Sequence, residues 1–212
     1  MSLTGRQLLH VSLEHITSGI NLLKDDARPL DSPRDSLMNT DFLARKTQQA
    51  LLYIASDIIE QRNMYKVLKV IYFADIAHMF NYGRFITGDD YVALHHGPVP
   101  SFAYDIVKDV KLGRKTFRVD EKPFFSVKND TVVPLIEADI SCFSRSDLEC
   151  LDKAIEVCRP LDFTQLKNKS HDAAYEAAGE NDIMSIESIV SMAPNNEGEI
   201  LLDYIKTNNK WL

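Results

Sequence analysis

The sequence predicts an α+β, mainly α fold: a compact helical domain carrying a small antiparallel β-hairpin or three-stranded sheet. Three observations lead there. Apolar residues recur at helical spacing through residues 42–62 and 64–81. Residues 114–136 switch to a period of two, and Gly, Pro and Asp clusters punctuate the chain between these stretches. At 212 residues, 45% hydrophobic and 26% charged, the chain is long and apolar enough to bury a core without staples, which argues against wholesale disorder.

The first forty residues read as an appendage: an N-terminal helical arm and linker over 1–40, ahead of a domain over 41–212. Leu9, Leu13, Ile16, Ile20 and Leu23 follow a 4-3-4-3 spacing, the seam of an amphipathic helix that packs on its own domain or faces a partner. Asp25-Asp26 and the stretch from Pro29 to Ser36 read as an exposed linker, and Thr40 or Asp41 as the N-cap of the first domain helix. A break at Asn63 starts a second helix, stopped at Gly83, a residue that suits a left-handed C-cap. Apolar residues occupy nearly every side of it. Val67, Leu68, Ile71 and Ala74 share one face and Phe73, Ile76 and Phe80 the other, with Lys66 and Lys69 marking a wet strip. A helix of that kind belongs at the centre of its domain.

Turn signals bracket Phe85-Ile86, and Tyr91–Leu94 reads as a short strand. His95 to Pro100, with two prolines, is expected to be irregular, with one imidazole inward and one outward. Ser101–Leu112 reads as a helix closed by Gly113. Phe124–Val127 and Thr131–Ile136 form a hairpin about Asn129-Asp130, with Thr116–Val119 as a further β-like stretch. Ser144–Arg159 returns to helix, followed by shorter helices within 163–179, 184–192 and 199–206.

Charge and cysteine content narrow the function classes. The net charge is −7, concentrated in residues 121–212, where 9 basic and 17 acidic side chains give −8. An acidic half repels phosphate backbones and favours a basic protein partner. Arg114-Lys115-Thr116-Phe117-Arg118 is a brief basic patch in an acidic chain, so nucleic acid is not an expected partner, and a DNA-associated transcriptional regulator is the secondary reading. No apolar run approaches the roughly 20 residues of a membrane span, and no signal pattern opens the chain. Cys142, Cys150 and Cys158 form no paired motif and read as reduced thiols of a cytoplasmic protein.

No nucleotide-binding, nucleophile-elbow or zinc-helix motif occurs, so no catalytic residue and no cofactor is expected. The sharpest enzymatic alternative, a metal-dependent hydrolase, gathers Asp75, His78, His95 and His96 with Asp89 or Asp90; no fixed metal-ligand spacing is matched, and the expectation is no metal. The competing structural reading has Asp75 and His78, on one face of the central helix, hydrogen-bonding the loop from Thr87 to Pro100, whose prolines leave it too few amides to brace itself. The aromatics Phe80, Tyr82, Phe85, Tyr91, Phe102 and Tyr104 read mostly as core, with a peptide groove as the alternative.

The stretch Lys66-Val-Leu-Lys-Val-Ile-Tyr-Phe-Ala-Asp75-Ile-Ala-His78, then Tyr82-Gly-Arg84, Ile86-Thr-Gly-Asp89, Tyr91-Val-Ala93 and Gly97-Pro-Val-Pro100, closely resembles the SocA-like antitoxin family, also called the Panacea domain and often labelled a phage-associated protein. The similarity extends in kind over roughly residues 41–205 and takes in the acidic helix at 145–158 and Ser170-His171; Tyr175 stands where many relatives carry Trp. The resemblance implies a non-enzymatic antitoxin that neutralises a cognate protein toxin by direct contact, with ClpXP protease as a further partner where the antitoxin acts as a proteolytic adaptor. It implies a family-motif scaffold of Asp75, His78, Tyr82, Arg84, Thr87, Gly88, Asp89, Gly97, Pro98 and Pro100, in which Gly88 and Gly97 supply backbone angles closed to other residues. Toxin contacts then fall on variable surfaces: the arm with its seam, the 114–135 hairpin or the acidic C-terminal half. A homo-oligomer stays open.

Overall fold

A computed structural model describes residues 33–58, 62–114 and 124–208, with 33–41 by backbone alone. The arm seam from Leu9 to Leu23, the basic patch beyond Arg114 and the β-like stretch at 116–119 lie outside the described residues. The described chain forms eight α-helices and two small antiparallel two-stranded sheets. The elements run α1 (Pro33–Asp57), α2 (Met64–Tyr82), β1 (Tyr91–Leu94), β2 (Gly97–Pro100), α3 (Ser101–Leu112), β3 (Phe125–Lys128), β4 (Thr131–Pro134), α4 (Arg145–Cys158), α5 (Phe163–Ser170), α6 (Ala173–Ala177), α7 (Ile186–Val190) and α8 (Gly198–Asn208). Helix α1 begins upstream of the cap expected at Thr40 or Asp41, inside the stretch whose composition reads as linker. Proline suits a first helical turn, because its missing N–H has no partner there.

Helix α2 is the axle of the domain. Asn63 caps it by accepting the amide of Lys66, and Gly83 ends it in the left-handed region at φ 71°. It packs chiefly on α4 and also meets α1, α3, α5, α7, β2 and β4, so every side is covered. This is why its apolar residues fall all round: one face joins a core built with α1, α3 and α4, and Tyr72, Met79 and Phe80 join a second core with α7 and α8.

The wet strip does not exist. Lys66 and Lys69 are both buried, because each ammonium finds carbonyls inside the domain. Lys66 Nζ donates to the carbonyls of Arg159 (3.2 Å) and Leu161 (2.6 Å), capping the end of α4, and Lys69 Nζ donates to Pro98 O at 2.7 Å. A lysine is a cationic helix cap as readily as a surface charge, and spacing alone does not distinguish them.

The His95–Pro100 segment is more regular than expected. Gly97–Pro100 is strand β2, paired antiparallel with β1 in the register Tyr91↔Pro100, Val92↔Val99, Ala93↔Pro98 and Leu94↔Gly97. The prolines fit because both fall at alternate positions facing Ala93 and Tyr91. Those two residues turn their own backbone groups the other way, Ala93 to Asp182 O and Asn181 N, and Tyr91 O to Met184 N. A strand that needs no amide on one edge tolerates proline there. His95 and His96 form the hairpin tip, and both are exposed rather than split inward and outward. The β3–β4 hairpin turns at Asn129 and Asp130, both at positive φ (48° and 61°), as the Asn-Asp pair predicts. The 163–179 stretch resolves into α5 and α6, with Asp162 and Gln165 forming a capping box on α5.

Candidate functional site

Three buried polar clusters hang on α2. In the first, Asp75 is fully buried and its carboxylate takes four donors from the segment leading into β1. Oδ1 accepts the amides of Ile86 (2.7 Å) and Thr87 (3.2 Å); Oδ2 accepts Thr87 Oγ1 (2.5 Å) and Tyr91 Oη (2.8 Å). Burial raises the Asp75 carboxyl above its ordinary range, opposed by those four hydrogen bonds. Asp89 extends the same brace. Its two oxygens accept the amides of Phe102 and Ala103, both at 2.8 Å, and so cap α3, whose own N-cap, Pro100, has no side chain to offer. Burial pushes the Asp89 carboxyl up to about 7 against these two bonds. Gly88, between them in sequence, sits at φ 65° beside the Leu43 side chain.

His78 does something other than brace the proline segment. Its Nδ1 lies 2.9 Å from Arg84 O, which only accepts, so that nitrogen carries a proton; Nε2 lies 3.1 Å from both Ser146 Oγ and Asp147 Oδ1. The imidazole therefore ties α2 to the start of α4, one turn further along the helix than Asp75 and facing a different element. Asp147 is the hub of this second cluster. Its Oδ1 also accepts Arg84 Nη2 at 2.9 Å, and its Oδ2 accepts Lys46 Nζ at 2.7 Å and the Ser144 amide at 2.9 Å. Burial alone would raise this carboxyl, but the His78 hydrogen bond, the Arg84 guanidinium and the Lys46 ammonium hold it well below the usual carboxylate range. Tyr82 stacks on His78, ring centroids 4.6 Å apart.

The third cluster lies under the β1–β2 hairpin. Gly97 has φ 96°, and a Cβ there would stand 2.6 Å from Ser170 Oγ and 2.7 Å from Lys69 Nζ. Both the left-handed backbone and the close approach exclude a side chain. Gly97→Ala is therefore expected to cost about 2–3 kcal/mol, read as a fall in the urea midpoint at unchanged slope. Burial pushes Lys69 down to about 7, partly offset by Asp172. Its folded state thus holds fewer protons than the unfolded chain between about pH 7 and the ordinary lysine range near 10.4, so its contribution to stability rises with pH across that window. In Lys69→Met this rise should be absent when urea midpoints are compared from pH 7 to 10.

The metal constellation weighed as the enzymatic alternative is not assembled. Asp75 and His78 are buried in separate clusters, His95 and His96 sit at the exposed hairpin tip, and among the described residues no group of three or more His, Cys, Asp or Glu side chains is placed to hold a metal ion. Burial pushes the Cys150 and Cys158 thiols up to about 12, far from a reactive thiolate. Of the candidate groove aromatics, Phe80 and Tyr91 are buried in the second core, whereas Phe102 and Tyr104 pack against the first. Phe85 and Tyr91 line an open groove whose far wall comes from the segment 183–189.

The family model described as "Antitoxin SocA-like, Panacea domain" matches residues 67–176, a little over half of the chain. The chain belongs to the SocA-like antitoxin family. No curated protein and no solved structure gives a match. All three clusters fall within or against the SocA-like match: Asp75, Asp89 and Tyr91 in the first, His78, Arg84 and Asp147 in the second, Lys69, Gly97 and Ser170 in the third. Helix α1, which supplies Lys46, and the elements from α7 onward lie outside it.

Sequence reasoning missed the Asp147 hub and the two buried lysines, Lys69 inside the SocA-like match and Lys66 just ahead of it. A local signal for Asp147 existed: Ser144-Arg145-Ser146-Asp147 has capping-box spacing, and the box is formed, with Ser144 Oγ accepting the Asp147 amide and Asp147 accepting that of Ser144. That the same carboxylate also reaches α1 through Lys46 and α2 through His78 has no local signal.

Proposed function

We propose that this SocA-like domain is a non-enzymatic antitoxin that neutralises a cognate protein toxin by direct binding in the cytoplasm. The observation that carries the reading is what the motif residues, with Asp147 and Lys69 beside them, do with their polar atoms. Asp75, Asp89, Asp147, His78 and Lys69 direct them at backbone amides, carbonyls and neighbouring side chains of the same domain. A motif occupied in this way specifies a rigid core, and recognition is left to the surfaces around it. Among the described residues no helix is long and apolar enough to cross a membrane.

The toxin docks on the surfaces outside the motif: the arm with Leu9, Leu13, Ile16, Ile20 and Leu23, the 114–135 hairpin, or the acidic C-terminal half. The −8 charge of residues 121–212 supports a basic toxin. Delivery of the toxin to ClpXP is the adaptor form of the same function.

Co-expression with the product of the adjacent gene tests the proposal. Growth should be rescued and the two proteins should co-purify as a defined complex, whereas rescue without any complex would contradict direct binding. Unchanged capture by a chain lacking residues 1–32 would exclude the arm as the docking surface. An adaptor shortens the toxin's half-life only in cells that contain ClpXP; a pure inhibitor leaves it unchanged in both.

A further inference from the structure

The open groove on the second core has a volume of about 630 Å³ and is lined by Leu43, Phe85, Tyr91, Met184, Ile186 and Ile189 among others, with Ile183 63% exposed at its edge. One wall comes from inside the family match and the other, from 183 onward, lies outside it. We infer that this groove is the seat of the chain's own N-terminal arm, with the seam Leu9, Leu13, Ile16, Ile20 and Leu23 laid into it in cis.

Chain length and direction select this occupant. Thirty-two residues precede Pro33, where α1 begins, and Leu43 of α1 is itself part of the groove lining. From the start of α1 to Leu43 is ten residues, about 15 Å of helix. Residues 24–32 span up to about 30 Å when extended, enough to turn back and bring a second helix alongside α1. Wound as a helix, the seam would cover about 21 Å from Leu9 to Leu23. Its five apolar side chains share one stripe, with Ser18 on the opposite face. Phe42, next to Leu43, is 51% exposed. Arm and outer wall both lie outside the matched region, as expected for two surfaces shaped to each other in this chain. The seam then has two alternative uses: a toxin that grips it must first lift it from the groove. This inference does not depend on the antitoxin reading, because the groove and the arm belong to the same chain.

Disulfide trapping in the full chain tests it. Ile16→Cys is combined with Ile183→Cys, and Ser18→Cys with Ile183→Cys serves as the off-seam reference. After mild oxidation, peptide mapping under non-reducing conditions should find an intrachain 16–183 link at least fivefold in excess of 18–183. Equal trapping of the two pairs, or no link, overturns the inference. An interchain 16–183 link overturns the cis arrangement in favour of a second copy. Hydrogen exchange of the chain with native residues at 16 and 183 provides a readout free of engineered thiols: Leu13→Asp with Ile20→Asp should speed exchange across 183–190 at least tenfold, and no change counts against the proposal.

Discussion

Asp147→Ala should lower the stability of the domain by about 3–5 kcal/mol, one of the two largest effects expected of substitutions outside the apolar cores. The carboxylate is fully buried and joins α1, α2 and α4 through Lys46, His78, Arg84 and the Ser144 amide. Its removal leaves the buried Lys46 ammonium without its counter-charge, and a desolvated cation with no partner costs more than the lost attraction. Urea unfolding at pH 7 measures the loss. The pH dependence has a definite sign. The folded-state carboxyl is held below its unfolded value, so its contribution is fully present above about pH 4 and is lost as pH falls further. The gap in midpoint between the native chain and Asp147→Asn should therefore be constant from pH 5 to 7 and shrink below pH 4. A gap that persists at pH 3 would mean that ionisation of Asp147 contributes nothing.

Asp75→Ala should cost a comparable 3–5 kcal/mol, because two amides and two hydroxyls lose their acceptor in a dry site. Asp75→Asn should be milder, about 1–3 kcal/mol. The carboxamide oxygen can still accept the Ile86 and Thr87 amides, while its NH₂ can donate to Thr87 Oγ1 and Tyr91 Oη once those hydroxyls rotate. The Ala variant should also loosen β1, since Tyr91 loses its partner at the start of that strand; faster hydrogen exchange at residues 91–94 would report it. Equal costs for Asn and Ala would show that the charge itself, rather than the accepting oxygens, holds the segment.

Much of this architecture is legible in the chain. A helix apolar on all sides has to be enclosed, and α2 is. Gly83 and the Asn129-Asp130 pair take left-handed backbone where a cap and a tight turn need it. Asp75, an acid amid apolar neighbours, has to meet donors, and the nearby Thr87 and Tyr91 supply them. What escapes local reading is the choice of partner across long sequence separations. His78 looks toward the proline segment on spacing alone, but its ring reaches Asp147 of α4, which only tertiary packing brings near. Lys66 and Lys69 carry the side-chain type of a solvated strip, yet their long stems reach carbonyls at the end of α4 and at Pro98. The prolines at 98 and 100 signal irregular chain, and their fit into a strand depends on the 181–184 segment occupying the other edge of β1. That segment is more than eighty residues away.

The most direct test of the claim that the family motif is a brace is toxin neutralisation per folded molecule in Asp75→Asn. At a temperature where circular dichroism finds this variant fully folded, it should neutralise the product of the adjacent gene as well as the native chain, with the damage visible only in its unfolding midpoint. A fully folded Asp75→Asn protein that no longer neutralises would place Asp75 in the functional act itself and contradict the account.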